Sequence, residues 1–478
     1  MSALRQEHPD FAEMKTRWEM CEHAAEGEHA VHKEGIKYLP RLKDEEDDAY
    51  ALRLRMTPFF NATWRTISGM RGMLFRKPPI VELSPKLQAL CENIDLAGTT
   101  MQGLAQEVVE EGLKLGRIGL LVDQPTTPAG ATLADAQRLN LRPFISIYEA
   151  DSIYNWKEER VNGVTKLIQV RLLESVSLTQ EDEFATKEEK RYRVLDLAEG
   201  KYRQRVFRIA EDGAEIQVGA DVFPTMAGKA MDFIPFVVIG VDHLGMDVDA
   251  PPLIDLVTTN FHHYMQATSY ERGCFFSGLP TMFISGMEDS DGEISIGGPI
   301  ANALGSPQAK AYYVEVSSNF EALRTNLEDK KREMAVLGAR MLEGGKNTGG
   351  VEAAETVARR QSGEESVLAA MAETVSQGLT RALGWVALWV GDKSPVSYKL
   401  NKDFLPQSMT AQDLTALVSA WQNGAISQNT LFENLKAGEI VADTDTFEDE
   451  QARIDDAAAQ FAAQQNALYP PPEPTPPN

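Results

Sequence analysis

The residues that could most readily do chemistry are a glycine pair followed by a lysine, Gly344-Gly345-Lys346. A phosphate-binding loop requires a glycine, four further residues and then Gly-Lys-Ser/Thr, so that backbone amides surround the phosphates and the hydroxyl binds Mg²⁺. Arg340 stands in place of the first glycine and Asn347 in place of the hydroxyl residue. The spacing therefore excludes a nucleotide-binding loop at this position.

Histidine and cysteine side chains show no metal-binding pattern. His29 and His32 lie three residues apart, but no cysteine, histidine or aspartate completes a ligand set at the usual spacing. His262 and His263 are adjacent and would point about 100° apart on a helix, so they cannot chelate together. We expect surface histidines and no metal site. The seven histidines are His8, His23, His29, His32, His243, His262 and His263.

Acidic residues cluster at Glu288, Asp289, Asp291 and Glu293, within a glycine-rich stretch that has no basic residue. The cluster superficially resembles a calcium loop, but it lacks the twelve-residue pattern and the terminal bidentate glutamate. No Gly-x-Ser-x-Gly nucleophile motif occurs. The sequence thus predicts a solvated acidic loop, and no catalytic or cofactor-binding motif is found.

The composition bounds the class of protein. The chain has 478 residues, of which 43% are hydrophobic and 25% are charged, as is ordinary for a globular protein of two or three domains. A net charge of −24 argues against a sequence-reading DNA binder, but not against a surface along which DNA passes without sticking. Three scattered cysteines, Cys21, Cys91 and Cys274, indicate a reduced compartment. With no signal peptide or long apolar run evident, we expect a soluble protein made inside the cell.

The elements that must position these groups are organised around residues 317–391. Ser318 to Glu321 is a Ser-x-x-Glu capping box, which predicts the start of a helix. Apolar residues then recur at three- and four-residue steps along one side, and the other side is charged. The apolar stripe includes Phe320, Leu327, Met334 and Met341, and the charged face includes Lys330, Lys331 and Arg332.

A glycine-bounded loop, residues 343–350, separates this helix from a longer one. The second helix is predicted to run from about Val351 to Val390 and to reach ~60 Å. Its first half is mostly polar and its second half mostly apolar, with Gly363 at the changeover as a place for a bend. We expect such a helix to cross from a water-lined region into a packed core.

The remaining patterns predict an α+β fold. Residues 1–80 indicate helices, and residues 143–243 contain short strand-like segments without intervening helices, which favours an antiparallel meander. A helix follows over residues 251–276, and strands at 280–286 and 311–316 flank the acidic stretch. The end of the chain indicates a strand at 396–400, helices at 411–423 and 428–437, and an acidic tail from Glu439 that ends in prolines.

The order of these elements resembles that of bacteriophage portal proteins, in which a stem helix, a clip, a second stem helix, a tunnel loop and a long wing helix follow one another. The corresponding residues here are 251–278, 279–316, 317–342, 343–350 and 351–400. Local stretches are also similar to the branch of that family often described only as a phage domain of unknown function. They are Lys37 to Leu42, Phe60 to Thr66, Met73 to Pro79 and Gly116 to Pro125, and the likeness covers roughly residues 8–440.

The resemblance implies a portal architecture with a helical and antiparallel-β wing, a two-helix stem, a small clip, a long bent wing helix and a short helical crown. Residues 1–250 would form the wing, together with the helix and strand of residues 351–400. Residues 401–457 would form the crown, and residues 458–478 a disordered, proline-rich tail.

The resemblance also implies a structural, non-enzymatic role in the virion. About twelve subunits would form a ring at one capsid vertex, assembled in the host cytoplasm, around a channel for double-stranded DNA that is bound non-specifically. The implied partners are the terminase large subunit, head-completion or adaptor proteins and capsid proteins, with no membrane. Two alternatives stay open: another virion structural protein, such as a minor head or adaptor protein, and an acidic hydrolase with paired carboxylates.

Roles for particular residues follow from the resemblance. The apolar stripe would pack the stem, the acidic cluster Glu288, Asp289, Asp291 and Glu293 would dock the packaging motor on the clip, and Lys346 would form a belt of positive charge around the channel. The predicted tunnel loop consists of Glu343, Gly344, Gly345, Lys346, Asn347, Thr348, Gly349 and Gly350.

Overall fold

The structure is a computed structural model in which two compact units, Met1–Lys402 and Asp403–Asn478, are formed. Helices and antiparallel strands make up the first unit, which confirms the α+β prediction. None of the helices in the described part of the chain is long and apolar enough to cross a bilayer. The residues that the structure describes are 3–125, 138–179, 186–226, 228–278, 281–285, 310–314, 320–339, 366–402, 404, 411–438, 440–441 and 445–456.

The helices of the first unit include two in the N-terminal region, Asp47–Met56 and Ala62–Leu74, that are separated by a break at residues 57–61. Thr57 is extended (φ −88°, ψ 111°), since the following Pro58 disfavours helical backbone at the residue before it. A new helix then starts at Asn61, whose side chain accepts a hydrogen bond from the Trp64 amide at 2.8 Å. The helices are α1 (Pro9–Glu26), α2 (Glu28–Glu34), α3 (Asp47–Met56), α4 (Ala62–Leu74), α5 (Pro85–Cys91), α6 (Met101–Leu115), α7 (Ile254–Gly278), α8 (Glu321–Ala339) and α9 (Val367–Trp389).

The strands form antiparallel sheets, as the short spacing predicts. The largest has five strands that neighbour one another in chain order, β4 to β8. Its first strand was not expected from the sequence, because the second half of that strand is charged and exposed. The strands are β1 (Ile80–Glu82), β2 (Arg117–Asp123), β3 (Phe144–Glu149), β4 (Ile153–Val161), β5 (Val164–Thr179), β6 (Thr186–Ala198), β7 (Lys201–Ile209), β8 (Glu215–Gln217), β9 (Thr225–Met226), β10 (Lys229–Ala230), β11 (Phe236–Gly240), β12 (Thr281–Ser285), β13 (Lys310–Val314) and β14 (Ser397–Lys399).

The centre of the first unit is a three-stranded sheet in the order β11-β2-β3. Every residue of β11 is buried, because α9 lies directly on this strand. A Cβ at Gly378 of α9 would come within 2.4 Å of the Ile239 side chain, so glycine is what permits this approach. Helix α6 packs beside them and feeds straight into β2 through Gly116, which has a left-handed backbone (φ 82°).

A polar network connects the five-stranded sheet to β2. Arg193 of β6 donates to Glu174 at 2.6 Å and to the Gln204 side chain at 3.1 Å. Gln204 donates to Asp123 at 2.9 Å, and the Arg193–Asp123 distance is 3.5 Å. Because buried polar groups require partners, this set fixes the relative position of the two sheets.

Helix α9 is shorter than the helix predicted from about Val351 to Val390. Helix α9 begins at Val367, because Ser366 is extended (ψ 150°) and its side chain caps the helix by accepting from the Ala369 amide. A single uninterrupted helix from Val351 to Val390 is therefore wrong, and Gly363 lies outside the described residues. After α9 the chain returns as β14, which pairs antiparallel with β1.

The second unit is helical within its described residues. Ser427 caps one helix by accepting from the Thr430 amide at 3.1 Å, and Phe432 stacks edge-on against Phe447 with ring centroids 5.6 Å apart. Residues 447–456 are helical, although the sequence pattern by itself indicated helices only at 411–423 and 428–437. The helices are α10 (Ala411–Gln422), α11 (Gln428–Ala437) and α12, residues 447–456.

Candidate functional site

The segment with the most distinctive architecture consists of α7, the β12–β13 pair and α8. The two strands pair antiparallel from Thr281↔Val314 to Ser285↔Lys310, so the chain leaves the end of α7 and returns to the start of α8. Phe283 and Tyr312 are both exposed and stack across this pair with centroids 6.1 Å apart. Residues 286–309, which hold the predicted clip residues Glu288, Asp289, Asp291 and Glu293, lie outside the described residues.

Helices α7 and α8 pack side by side in opposite directions. At one end, a Cβ added to Gly273 of α7 would lie 2.6 Å from the Phe320 ring. At the other end, Met334 of α8 packs with Leu256 of α7 in a buried cluster, and Gly338 lies against Leu256 as well. Early residues of one helix therefore meet late residues of the other, which makes the pair antiparallel.

The start of α8 differs from the capping-box prediction. The helix begins at Glu321, and the Arg324 amide donates to the Phe320 carbonyl at 3.0 Å. Phe320 itself has a left-handed backbone (φ 47°), which is unfavourable for a bulky residue. It therefore introduces the helix, and its ring lies against Gly273 of α7.

Two further residues of the predicted apolar stripe are buried within the chain. Leu327 is 8% exposed and Met334 is 2% exposed. Met334 contacts the N-terminal helices directly, because Ala62 of α4 belongs to the same buried cluster. The fourth predicted member, Met341, lies outside the described residues.

A single asparagine joins α7 to α4. Asn260 is fully buried, and its side-chain oxygen accepts from the amides of Ala62 and Thr63 at 3.2 and 3.3 Å. Its side-chain nitrogen donates to the Phe60 carbonyl at 2.8 Å. The first turn of a helix has amides without intrahelical partners, and Asn260 satisfies two of them across the helix interface.

Aromatic rings hold the same face of α7 against the N-terminal region. Phe261 stacks on Tyr38 with centroids 4.2 Å apart. Tyr264 lies edge-on to Phe59 at 5.7 Å. Aromatic pairs of this kind contribute stability beyond that of burying their apolar area. They fix the first half of α7 in the body of the unit, while its second half leads to the strand pair.

The predicted charged face of α8 is largely neutralised along the helix. Lys331 pairs with Glu328 at 2.9 Å and Arg332 with Asp329 at 3.1 Å, each three residues apart. Lys330 is half-buried and forms no ion pair among the described residues. Exposed pairs at this spacing contribute little to stability, and they leave a face of small net charge.

His263 is buried, so the expectation of surface histidines is wrong for this residue. Its exposed fraction is 4%, and its ring lies 5.7 Å from that of Phe60. Burial lowers the pKa of His263 to about 4, and the nearby charge of Lys331 acts in the same direction. The imidazole is therefore neutral at physiological pH. The sequence did not show which of His262 and His263 is buried, because neighbouring residues on a helix point in directions about 100° apart.

The tunnel-loop prediction cannot be located on the structure, since Glu343 to Gly350 fall outside the described residues. The same holds for the proline-rich tail, residues 458–478.

Three sets of acidic and histidine side chains bring potential metal ligands close together. Within each set the potential ligand atoms lie within 4.8 Å of one another. The set of Glu22, Glu149 and Asp151 joins α1 to the end of β3 and the turn that follows it, so spacing in the sequence could not reveal this set. The sets are Glu19, His23 and Glu34; Asp242, His243 and Asp249; and Glu22, Glu149 and Asp151.

Two of these sets already have partners. Glu19 pairs with Lys37 at 2.6 Å, and His23 Nδ1 lies 2.7 Å from the Tyr38 hydroxyl. His243 Nδ1 lies between two aspartates, 2.9 Å from Asp242 and 3.2 Å from Asp249. These groups form ordinary hydrogen-bonded networks.

Comparison with known protein families gives one match in this part of the chain. The family model described as a domain of unknown function, DUF4055, matches residues 252–390. The matched segment runs from α7 through the strand pair and α8 to the end of α9. No curated protein matches the chain.

Solved structures similar to this chain come from particles of a gene transfer agent. A chain in the virion of the native particle has 13% identity and a TM-score of 0.39, over 84% of this chain and 96% of that one. A chain in the neck of the empty particle, computed with C6 symmetry, has 13% identity and a TM-score of 0.39, over 83% and 96%. A chain in the neck of the native particle, computed with C12 symmetry, has 14% identity and a TM-score of 0.39, over 84% and 98%. Values this low assign no function to the chain.

Proposed function

We propose that this protein is a bacteriophage portal protein, a structural subunit without enzyme activity. About twelve copies would form a ring at one capsid vertex, through which double-stranded DNA is packaged and ejected. The observation that carries the proposal is the antiparallel α7–α8 pair, joined by a strand pair and followed by α9. This is the order of elements on which the resemblance to portal proteins rests.

The way in which the pair is anchored supports the proposal. Asn260, Phe261 and Met334 fix one end of α7 and α8 in the body of the unit, and the strand pair lies at the other end. A stem requires this arrangement, because its helices must connect the wing rigidly to a docking surface at their other end. The family match covers the same continuous segment, residues 252–390.

In this proposal the parts of the segment have separate tasks. Residues 279–316 are the clip, where the terminase large subunit docks during packaging and head-completion or adaptor proteins dock afterwards. Residues 343–350 are the tunnel loop, which touches the DNA backbone without reading its sequence, because phosphate contacts carry no sequence information. A net charge of −24 suits a wall along which DNA slides.

The mass of the native particle tests the proposal. We expect purified full-length protein to form particles of about twelve times the 52.8 kDa chain mass, visible as rings with a central hole in negative stain. Native mass spectrometry gives the copy number. A protein that stays a monomer or dimer over a wide concentration range contradicts the portal assignment, and it favours an adaptor or minor head protein, or a hydrolase.

A further inference from the structure

The N-terminal helices contain a basic stretch within an otherwise acidic protein. Residues 49–81 include six basic residues and no acidic one, although the net charge of the chain is −24. Two of the six, Arg53 and Arg71, pair with glutamates of the same chain. An excess of positive charge is therefore left on this part of the surface.

Part of this excess lies where α4 meets α8, in a basic patch that consists of Arg65, Lys330 and Lys331. Arg65 Cζ lies 4.7 Å from the centroid of the Phe60 ring, and Lys331 Nζ lies 5.4 Å from the same centroid. Lys331 pairs with Glu328. Arg65 is exposed and Lys330 is half-buried, and neither forms an ion pair among the described residues. The patch therefore has positive charge without a counter-charge in this part of the chain.

An acidic patch, consisting of Glu107, Glu149 and Asp151, lies where α6 meets the end of β3. All three side chains are exposed, and the carboxylate oxygens of Glu149 and Asp151 lie within 4.8 Å of each other. Burial raises the pKa of Glu107, and the nearby charge of Glu149 acts in the same direction. None of the three forms an ion pair among the residues that the structure describes. The acidic patch is thus continuous across two elements and is not balanced by basic side chains there.

The two patches lie on different sides of α4. On one side Arg71 pairs with Glu110 of α6. On another side Thr66 lies against α8, because a Cβ added to Gly338 would come within 3.2 Å of the threonine side chain. Positions 66 and 71 are five residues apart and so point about 140° apart around the helix. The acidic patch on the α6 side and the basic patch on the α8 side therefore face in different directions.

We propose that the basic patch of one chain binds the acidic patch of a second copy of this chain. The inference rests on the proposed function, since it names a contact by which copies are joined in the ring. Charge complementarity selects this occupant, because three cations on one face match three carboxylates on another face of the same chain. Each copy then binds one neighbour through each patch, which is a heterologous contact that repeats from copy to copy.

Electrostatic complementarity has a specific task in such an assembly. Chains with a net charge of −24 repel one another over most of their surfaces. Local pairing of opposite charges determines which faces meet, and it disfavours orientations that bring like charges together. The patches therefore set the register of neighbouring copies.

A charge swap tests this contact. Glu149→Lys/Asp151→Lys reverses the acidic patch, and Arg65→Glu/Lys330→Glu reverses the basic patch. Assembly of each full-length variant is measured by analytical ultracentrifugation at about 0.15 M salt, where the Debye length is about 8 Å. We expect each variant alone to assemble at least about tenfold more weakly than the wild-type protein, because patches of like charge then meet. An equal mixture of the two variants should assemble again, since one now has two basic patches and the other two acidic patches.

Matched controls make the same changes of charge outside the patches. They are Glu13→Lys/Glu159→Lys and Arg55→Glu/Lys157→Glu, all at exposed positions, and they should assemble as the wild-type protein does. Circular dichroism of the wild-type form in both reversed variants shows that loss of assembly is not loss of fold.

Three results would overturn the contact. The first is assembly of either reversed variant at the wild-type level, and the second is a mixture that does not recover assembly. The third is loss of DNA binding without loss of assembly when the basic patch is reversed, which would make that patch a nucleic-acid surface. In each case wild-type rings would still support the portal assignment, whereas a wild-type protein that stays monomeric contradicts the portal assignment itself.

Discussion

A single ion pair holds α3 to the chain that precedes it. Glu45 and Arg53 form a two-pronged ion pair, with Arg53 Nε and Nη2 each donating at 2.7 Å to a different carboxylate oxygen. The same Nη2 donates to the Pro40 carbonyl at 2.9 Å. The side chains are only 7% and 6% exposed. Such a geometry makes a buried pair tolerable, because nearly all of its polar atoms have partners.

The Glu45–Arg53 pair predicts a pH dependence of stability. The hydrogen bond from Arg53 holds the pKa of Glu45 at about 2, well below its ordinary value of 4.5. A carboxylate whose folded pKa is lowered contributes stability above its unfolded pKa, and this is lost as the pH falls through the folded value. We expect this contribution to be complete above pH 4.5 and to disappear towards pH 2, as measured by urea unfolding at a series of pH values.

Glu45→Gln isolates the contribution of that pair. The variant leaves a buried arginine without its counter-charge and should lower the free energy of unfolding by about 3–5 kcal/mol at pH 7, with a smaller difference from wild type at pH 3. Glu46→Gln is the control, since Glu46 is exposed and its side chain makes no capping bond. An unchanged free energy for Glu45→Gln at pH 7 would show that the pair contributes nothing.

At the scale of elements, α8 depends on contacts within its own chain. Leu327 and Met334 are buried within one chain, so their packing requires no second copy. In the proposed ring, the face left for neighbouring subunits is the opposite one, where Val336 is 53% exposed. Met334 of the predicted apolar stripe thus packs α8 against α7 and α4 within one chain.

Leu327→Asp should therefore destabilise the subunit as well as the ring. A buried unpaired carboxylate costs about 2–5 kcal/mol, and we expect a lower Tm of the monomeric fraction together with loss of rings by negative stain. Thr325→Asp places the same charge on an exposed position of α8 and should leave Tm unchanged. If Leu327→Asp assembles with wild-type Tm, the stripe does not hold the pair.

Elements with a local pattern in the sequence could be predicted, and contacts made only by tertiary packing could not. The strand pair at 281–314 and the meander follow from local periodicity and turn residues. The true start of α9 was missed, because the polar residues before Ser366 are good helix formers and only the cap reveals the break. The Asn260 contacts and the proximity of Glu22 to Glu149 and Asp151 could not be predicted, since these residues meet only through tertiary packing.

At the scale of the whole molecule, the proposed ring multiplies weak interactions. A single Lys346 contributes little, but about twelve copies around a channel make a continuous belt next to the phosphates. The belt would act on sliding and retention of DNA rather than on specificity. Its effect is visible only in assembled heads.

Shortening residues 343–350 to two glycines tests this part of the proposal. We expect rings of normal mass, because residues 343–350 include no large apolar side chain, together with incomplete filling or loss of DNA from heads, measured as DNA content per particle. Lys346→Gln keeps the length and separates the charge from the loop itself. Normal filling and retention in the shortened variant would contradict the tunnel-loop assignment.

The pairing of β1 with β14 sets a condition on synthesis. Ser84 donates to Asp392, and these residues are 308 positions apart, while Ile80 pairs with Lys399 across the same small sheet. A ribosome that adds about 5–20 residues per second needs about 15–60 s to synthesise the residues between Ser84 and Asp392. During this time the first part of the nascent chain lacks the strand and the helix, α9, that complete it. A chain cut short before residue 399 cannot complete this sheet, so we expect truncated products to be excluded from the proposed ring by their own incomplete fold.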